Sequence, residues 1–370
     1  MTTTVTLFLC GDVMTGRGID QALPYPCGPV LYESWVKDAR QYIEIAERAH
    51  GPLPLPLPFD SIWGDALDEL ERRRPDARIV NLETSVTTSA TPWPMKGIHY
   101  RMNPANVPCL TAASIDCCVL SNNHVLDWGY EGLAETLKTL HGARILTCGA
   151  GLSLAEATRP AVLGLTGGGR VLVFGVGSET SGVPGSWAAA RGRAGVWLLP
   201  DSPAEAASQI GSHVREWRRP GDVVVVSVHW GGNWGYDVPR EQTRLAHALL
   251  DEASVDVVHG HSSHHPKGIE VYRGKLVLYG CGDLLTDYEG IEGYEEFRGD
   301  LSLMYFAEID TAAGDLAGLT MTPTRLERFR LNHASRREAR WLSEVLDRES
   351  RPRGARIGLG PEGRLHLVRG

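Results

Sequence analysis

The histidines of this sequence are concentrated in one short stretch. Four of the 13 histidines fall within seven residues, at His259, His261, His264 and His265. They follow an apolar run at residues 255–258, which predicts a buried strand. Imidazoles that converge at the end of a strand are typical of a metal site or an acid–base site. The alternative is a chance cluster on a surface loop, and the other strand ends distinguish the two.

Other predicted strands also end in side chains that can bind a cation. The polar groups that follow five separate apolar runs are Asp12, Glu83, Asn123 with His124, His229, and His261 with His264. Because the carboxyl ends of parallel strands meet at one edge of an α/β sheet, these side chains are expected to lie together. Carboxylate, amide and imidazole ligands suit a divalent ion that keeps positions open for water or substrate. The sequence therefore predicts a metal site.

Composition limits the class of protein. The chain has 370 residues, 42% hydrophobic residues, a formal net charge of -8 and no long basic run. These values predict a globular protein without a nucleic-acid partner. The seven cysteines are scattered with no C-x-x-C spacing, which is typical of reduced core residues. No signal peptide or membrane-spanning stretch is evident, so we expect a cytoplasmic protein that does not bind a membrane.

Strand and helix signals alternate along the chain, which indicates an α/β fold in a single domain over residues 1–370. Within residues 20–60, the prolines at positions 52, 54, 56 and 58 alternate with leucines. A packed strand does not tolerate this pattern, so we expect an extended surface insertion there. Residues 335–370 are expected to form a C-terminal helix followed by a hairpin.

Six short motifs occur in order along residues 5–285. They are GDVMTGR at 11–17, NLE at 81–83, SNNHVLDWG at 121–129, VHWG at 228–231, GHSSH at 260–264 and GIEVYRGKL at 268–276. In type and order they resemble the CapA family of capsule and poly-γ-glutamate synthesis proteins, within the calcineurin-like metallophosphatase superfamily. The resemblance implies a four-layer α/β/β/α sandwich of two mixed sheets, with a metal site at their common edge.

The resemblance also implies roles for individual residues. The implied metal ligands are Asp12, Glu83, Asn123, His229, His261 and His264, with His124 as the acid–base group. The chain departs from the superfamily at Met14, where a histidine ligand is usual, and at Glu83, where a further aspartate motif is usual. These departures argue against full two-metal phosphoester chemistry. Asp283 stands where the family usually has asparagine, and it adds an acid beside the site.

One hypothesis is a peptide epimerase, since the chain resembles the CapA-like proteins without a membrane anchor that are associated with lasso-peptide biosynthesis. Those proteins invert the Cα of the precursor's C-terminal residue. Removal of a Cα proton needs an electrophile that holds the developing charge, and a divalent cation supplies it. Inversion also needs an acid–base group on each face of the carbon. The available sets are His124 with Asp12 or Asp127, and His264 or His265 with Asp283.

The partner of such an enzyme is a ribosomal precursor peptide, bound by loops around the same sheet edge. Lys96 and Arg101 are candidates for holding its carboxylate or a carbonyl. The candidates for the walls of an aromatic side-chain pocket are Trp93, Trp187, Trp230 and Trp234. Ordinary core packing explains each tryptophan alone at least as well.

The second hypothesis is a metallophosphoesterase, or a soluble protein that handles poly-γ-glutamate or capsule precursors. The same cation and His124 as general acid serve this chemistry. Met14 distinguishes the hypotheses, because a lost ligand weakens the second metal site that a phosphoesterase needs. A non-catalytic binding module is a third possibility.

The sequence leaves the identity of the metal open. Imidazoles favour zinc, manganese or iron, whereas binding dominated by Asp12, Glu83 and Asn123 suits a hard ion such as calcium. No motif for an organic cofactor stands out, and the glycine triplet at residues 167–169 lacks the lysine and the spacing of a P-loop. We therefore expect a divalent ion and no organic cofactor.

Overall fold

The first strand, Thr4–Val13, lies in the middle of a large sheet. The computed structural model describes residues 4–166, 168–291 and 293–368. Ten strands of these residues form the large sheet. Its main path runs Ile357–Leu359, Leu365–Leu367, Leu316–Glu327, Leu301–Asp310, Thr4–Val13, Ala77–Leu82, Cys117–Val119 and Leu146–Cys148. Beside this path, Asp283–Leu285 pairs with Thr4–Val13 and Arg330–His333 pairs with Leu316–Glu327.

A smaller sheet contains six strands of the described ranges. In spatial order they are Ile269–Tyr272, Lys275–Leu278, Val257–His261, Val223–His229, Arg170–Gly177 and Ala161–Gly164. The inner pairings are parallel, and the pairing at each edge is antiparallel. Two short ladders pair Gly195–Val196 with Ala150–Gly151, and Ser85–Val86 with Arg101–Met102. Both large and small sheets are therefore mixed, as predicted.

The two sheets pack face to face, and helices cover their outer faces. The core between them includes Leu7 and Leu9 from the large sheet, and Val223 and Val225 from the small one. The helices over the large sheet are Arg17–Ala22, Arg40–His50, Asp65–Arg73, Pro108–Ala112 and Gly129–Gly142. Those over the small sheet are Leu154–Ala157, Pro203–Trp217 and Arg240–Asp251. This arrangement confirms the predicted four-layer α/β/β/α sandwich.

The strand that ends at His229 shows how this packing shapes the sequence. Val223 and Val225 face the large sheet, whereas Val224 and Val226 face the covering helices. Because apolar layers cover both faces, the strand is a continuous apolar run rather than an alternating one. The layers hold the strand firmly and deliver His229 at its buried end.

The first strand is irregular where it approaches the end of the sheet. Its register against the neighbouring strand shifts between Leu9 and Asp12, which indicates a bulge. Gly11 lies in this bulge, and a Cβ there would be only 1.6 Å from the carbonyl oxygen of Gly282. Glycine therefore permits the close approach, and the amide of Asp12 donates to that carbonyl at 2.9 Å. As a result, Asp12 and Asp283 occupy paired positions in adjacent parallel strands.

The Pro-rich region differs from the sequence prediction. Part of the predicted extended insertion forms the helix Arg40–His50, which buries Tyr42, Ile43 and Ala46 against the large sheet. The spacing of these residues, at positions i, i+1 and i+4, is that of one face of an amphipathic helix. Prolines on both sides conceal the helical spacing in the sequence. The prediction of a wholly extended segment is therefore wrong for this part of the insertion.

The C-terminal region agrees with the prediction. Ser335 and Glu338 form a capping box at the start of the helix Arg336–Ser350. The strands Ile357–Leu359 and Leu365–Leu367 then form the hairpin. Residues 369–370 of the predicted range lie outside the described residues. Among the helices of the described ranges, none combines the length and the apolar character needed to cross a bilayer.

Replacement of Leu7 by alanine tests the packing between the sheets. Leu7 is fully buried in this core. Removing its side chain deletes apolar contacts and leaves a cavity, which costs about 2–5 kcal/mol. We expect a clear fall in melting temperature in a calorimetric scan. Leu146→Ala, at an exposed position, is the control, and equal melting temperatures for the two variants would contradict this description of the core.

Candidate metal centre

Polar side chains from both sheets converge where the central strands end. The amide of Ser262 donates to Oδ2 of Asp12 at 3.2 Å, and this bond links the two sheets. Nδ1 of His261 lies 3.7 Å from Oδ1 of Asp12 and 2.8 Å from Nδ1 of His229. All of these side chains are buried. Residues that are far apart in the sequence therefore meet at one buried place.

Asp12 belongs to two groups of potential cation ligands. The first group is Asp12, His229 and His261, and the second is Asp12, His264 and Asp283. Within each group, one nitrogen or oxygen atom per residue lies within 4.8 Å of the others. A carboxylate that is shared in this way is suited to bridge a pair of cations.

Glu83 and Asn123 extend the first group. Oε1 of Glu83 lies 3.8 Å from Nε2 of His229, and Oδ1 of Asn123 lies 3.1 Å from the same nitrogen. Among the described residues, Oε2 of Glu83 and Oδ2 of Asp283 are buried without a hydrogen-bond partner. Buried polar atoms are normally paired, so unpaired carboxylate oxygens in a ligand cluster fit a bound cation. The six ligands that the family resemblance implied are thus brought together.

Burial disfavours negative charge at this place. Burial, followed by the nearby charge of Asp283, raises the pKa of Asp12 to about 7. Burial and the charge of Asp12 also raise the pKa of Glu83 well above its usual range. Burial lowers the pKa values of His229 and His261, which keeps both rings neutral. A cation would stabilise the carboxylates, and neutral imidazole is the form that binds metals, so this donor set fits a divalent ion.

His124 forms an imidazole–carboxylate pair beside the ligands. Its Nδ1 lies 2.7 Å from Oδ2 of Asp127, and its Nε2 lies 3.7 Å from Glu83. Asp127, rather than Asp12, is therefore its partner. Nζ of Lys96 contacts the same carboxylate and lies 3.0 Å from Nδ1 of His124. Burial lowers the pKa of His124 to about 4, so the ring is neutral at neutral pH.

His264 forms the second imidazole–carboxylate pair. Its Nδ1 lies 2.8 Å from Oδ1 of Asp283. Burial opposes a charged ring, but the charge and hydrogen bond of Asp283 raise the pKa of His264. His265 instead packs beside the rings of Trp234 and Phe297, with ring centroids 6.1 Å and 4.6 Å away. The structure therefore pairs His264 with Asp283 and places His265 in an aromatic cluster.

Two tyrosines that the sequence analysis missed connect these pairs. The ring of Tyr100 lies edge-on to His124 at 4.3 Å, and that of Tyr288 lies edge-on to His264 at 5.4 Å. Their hydroxyl groups are hydrogen-bonded at 2.8 Å. Both tyrosines lie outside the six motifs, and an aromatic residue in a loop gives no signal of this role.

A cavity of about 390 Å³, here called the reaction cavity, opens onto both pairs. The polar residues that line it include Glu83, Lys96, Asn123, His124, Ser262 and His264. A second cavity of about 420 Å³, here called the aromatic cavity, adjoins it at Tyr100, His264 and Tyr288. Its other aromatic walls are Trp35, Tyr42, Trp234 and Tyr294. A ligand that spans both cavities would place a polar part at the metal centre and an apolar part among the rings.

Arg101, a predicted substrate-binding residue, has other contacts. Its guanidinium lies over the ring of Trp128, 3.8 Å from the ring centroid. It also donates to the backbone carbonyls of Ser89 at 2.6 Å and Gly28 at 3.0 Å. These contacts hold loops together, and Arg101 does not line either the reaction cavity or the aromatic cavity. The prediction that it binds substrate is not supported by its position.

Of the four tryptophans predicted to line the substrate pocket, one borders a cavity and the others belong to the core. Trp234 lines the aromatic cavity, with its ring 5.4 Å from that of His264. Trp230 is buried under the helices of the small sheet and donates to a backbone carbonyl. Trp187 is fully buried and packs against Trp93 at 5.4 Å. Core packing therefore describes three of the four tryptophans, and only Trp234 among them borders the candidate site.

Known proteins resemble this chain along most of its length. Residues 6–288 match the family described as Bacterial capsule synthesis protein PGA_cap. The probable polyglutamine synthesis accessory protein of Mycobacterium tuberculosis, in strains CDC 1551 / Oshkosh and ATCC 25618 / H37Rv, is 47% identical over 365 residues, 98% of this chain and 96% of its own. The PGA biosynthesis protein CapA of Bacillus subtilis (strain 168) is 30% identical over 210 residues, 57% of this chain and 52% of its own. By this match and these identities, the chain belongs to the PGA_cap family of bacterial capsule synthesis proteins.

Proposed function

We propose that the protein is a metal-dependent hydrolase that acts in the synthesis of a capsule or glutamate polymer, through two cations that share Asp12. The observation that carries the proposal is that Asp12 belongs to two buried ligand groups. Membership of the PGA_cap family supports the pathway, as do relatives that are named for polyglutamine synthesis and for PGA biosynthesis. When bound, the cations would polarise a carbonyl or phosphoryl group of the substrate.

Asp283 compensates for the ligand that is missing at position 14. A thioether such as Met14 is a poor ligand for hard cations, and its sulfur contacts the hydroxyl of Tyr288 at 3.6 Å. Asp283 pairs with Asp12 in adjacent parallel strands, which brings a second carboxylate to the shared one. The second ligand group has three members without position 14. The absence of a histidine there is therefore not an argument against two cations.

His124 is the proton-transfer group in this proposal. Asp127 accepts the Nδ1 proton of His124 and fixes the ring, so that Nε2 faces the reaction cavity beside Glu83. Nε2 can take a proton from an attacking water and return it to the leaving group. Lys96 holds Asp127 in place and donates to the carbonyl of Asn123 at 2.5 Å. It thereby supports both a ligand and the acid–base pair.

A second candidate is the metal-dependent peptide epimerase, in which two bases invert the Cα of a C-terminal residue. The observation that favours it is that both imidazole–carboxylate pairs, those of His124 and His264, face the reaction cavity. A proton could then be removed on one face of a carbon and added on the other. In this candidate the partner is a precursor peptide, and the predicted cytoplasmic location applies to it equally.

The aromatic cavity favours an apolar peptide end over a run of carboxylates. Its buried cation Arg17 is already paired with Glu33 and Asp287. His50 contacts Glu289, and the second guanidinium that lines the cavity, that of Arg298, is paired with Asp300 and Glu338. Paired cations offer little attraction to a polyanion. A glutamate polymer would therefore approach the reaction cavity without entering the aromatic one.

The two candidates assign incompatible tasks to His264 and Asp283. In the hydrolase they bind the second cation, whereas in the epimerase they form a free acid–base pair. The number of bound ions therefore separates the candidates. This number can be measured without knowing the substrate.

The metal content of the purified protein should be two ions per chain after loading with Mn²⁺ or Zn²⁺ and dialysis, measured by mass spectrometry. Asp283→Ala should retain one ion, because only the second group loses a ligand. Asp12→Asn should lose both, because both groups lose their shared carboxylate. Asp315→Asn, at an exposed position, is the control. One ion in the wild type would favour the epimerase, and none would refute both candidates.

Replacement of His124 by alanine should lower hydrolysis by about 10²–10⁴-fold, the usual contribution of an acid–base group. The test uses a chromogenic phosphodiester and a γ-linked glutamate oligomer, with product measured as a function of time. Metal content should stay unchanged, because His124 belongs to neither ligand group. His141→Ala, on the exposed end of a helix, is the control. Unchanged turnover in His124→Ala would contradict the role proposed for this ring.

Incubation of candidate precursor peptides in deuterium oxide tests the second candidate. Epimerisation predicts incorporation of deuterium at one Cα together with inversion of its configuration. Because both pairs are needed for inversion, Asp127→Asn and Asp283→Asn should each abolish it. Inversion that persists in both variants would contradict the two-base mechanism, and hydrolysis without incorporation would favour the hydrolase.

A further inference from the structure

A chain of hydrogen bonds runs from the backbone of the large sheet to His261. Nε2 of His259 lies 2.7 Å from the carbonyl oxygen of Cys10, and Nδ1 of His259 lies 3.0 Å from Oγ of Ser227. The same Oγ lies 2.9 Å from Nε2 of His261. All three side chains are fully buried. These hydrogen bonds thus connect the bulged first strand with His261, a candidate metal ligand of the other sheet.

The direction of every hydrogen bond in this series follows from the first one, between His259 and the carbonyl of Cys10. A carbonyl oxygen only accepts, so Nε2 of His259 carries a proton and donates to Cys10. A neutral ring has one such proton, which leaves Nδ1 of His259 as an acceptor, and Ser227 donates to it. The hydroxyl has no second proton, so it accepts from Nε2 of His261. This order leaves Nδ1 of His261 unprotonated.

The reverse order is unfavourable. If the Ser227 hydroxyl donated to His261, that hydroxyl would have to accept a hydrogen bond from Nδ1 of His259. His259 already donates from Nε2, so its ring would then carry a proton on both nitrogens. His259 would then be a buried cation whose nitrogens face only a carbonyl and a hydroxyl. Burial without a charged partner strongly disfavours that form. The carbonyl of Cys10 therefore sets the proton order of the whole chain.

We infer that Ser227 and His259 are positioning residues, which hold His261 as the Nε2–H tautomer and point its unprotonated Nδ1 at the cation site. Nδ1 of His261 faces Asp12 at 3.7 Å and His229 at 2.8 Å. The inference deepens the proposed function, since it rests on a cation bound by His261. Groups behind metal ligands act in this way by fixing the tautomer and the orientation of the ring.

Nitrogen-15 NMR of the metal-free protein tests the tautomer directly. The expected spectrum shows His261 with an unprotonated Nδ1 and a protonated Nε2, and His259 in the same form. In Ser227→Ala the constraint is lost, and the signals of His261 should shift toward the other tautomer. A wild-type spectrum in which His261 carries its proton on Nδ1 would overturn the inference.

Titration calorimetry with Mn²⁺ provides a second readout. Ser227→Ala should weaken binding at the first ligand group by about 10–100-fold, the usual effect of removing such a partner. Ser302→Ala is the matched control, because Ser302 is a buried serine that is hydrogen-bonded to Thr324 at 2.7 Å in the large sheet. His259→Gln keeps a donor and an acceptor in one side chain and should bind Mn²⁺ more tightly than His259→Leu.

The two measurements separate this inference from the proposed function. If Ser227→Ala binds Mn²⁺ as tightly as Ser302→Ala does, with an unchanged His261 tautomer, the positioning role is refuted while the metal proposal stands. If the wild type binds no cation, the proposed function fails, and so does the inference. Melting temperatures of all variants, recorded alongside, identify any that fail to fold.

Discussion

Asp12 and Glu83 are buried together at the junction of two sheets, and the properties of the site depend on how their charge is compensated. Asn81 donates to Asp12 at 2.7 Å and the amide of Ser262 at 3.2 Å. Two hydrogen bonds compensate only part of the cost of a buried carboxylate. Burial raises the pKa values of both acids, together with the nearby charge of Asp283 for Asp12 and that of Asp12 for Glu83. A cation at this place would favour their ionised forms, and the neutral imidazoles around them are in the form that binds metals.

The fold brings these groups together through its strand ends. Each sheet contains a run of neighbouring parallel strands, and these strands deliver their last residues to the same edge. Gly11 allows the segment containing Gly282 to approach the first strand, which aligns Asp12 with Asp283. The carbonyl of Cys10, in the same bulge, accepts a hydrogen bond from His259. One irregularity in the first strand thus serves both ligand groups.

The layers and the convergence of polar residues at one edge could be predicted from the sequence because they follow from local patterns. Apolar runs mark buried strands, and the polar residue after each run marks the common edge. The carboxylate partner of each histidine could not be predicted, because it depends on the direction of the side chains after the strand has ended. His264 and His265 are neighbours in the sequence, yet one binds Asp283 and the other packs against Phe297.

Longer-range features were beyond the sequence patterns for a different reason. The partnership of Asp12 with Asp283 depends on the register of two distant strands, which no local pattern encodes. Trp230 and Trp234 lie on one loop, and only the packed structure assigns the first to the core and the second to the aromatic cavity. The contribution of Ser227 was likewise hidden, since a serine in a valine-rich strand resembles an ordinary core position.

The proposed function depends on two cations, one on either side of Asp12. Anomalous diffraction from crystals grown with Mn²⁺ or Zn²⁺ tests it most directly. The account predicts two anomalous peaks, one beside His229 and His261 and one beside His264 and Asp283, with the Asp12 carboxylate between them. A single peak would remove the shared carboxylate from the mechanism. The absence of any peak at Asp12 would contradict the account altogether.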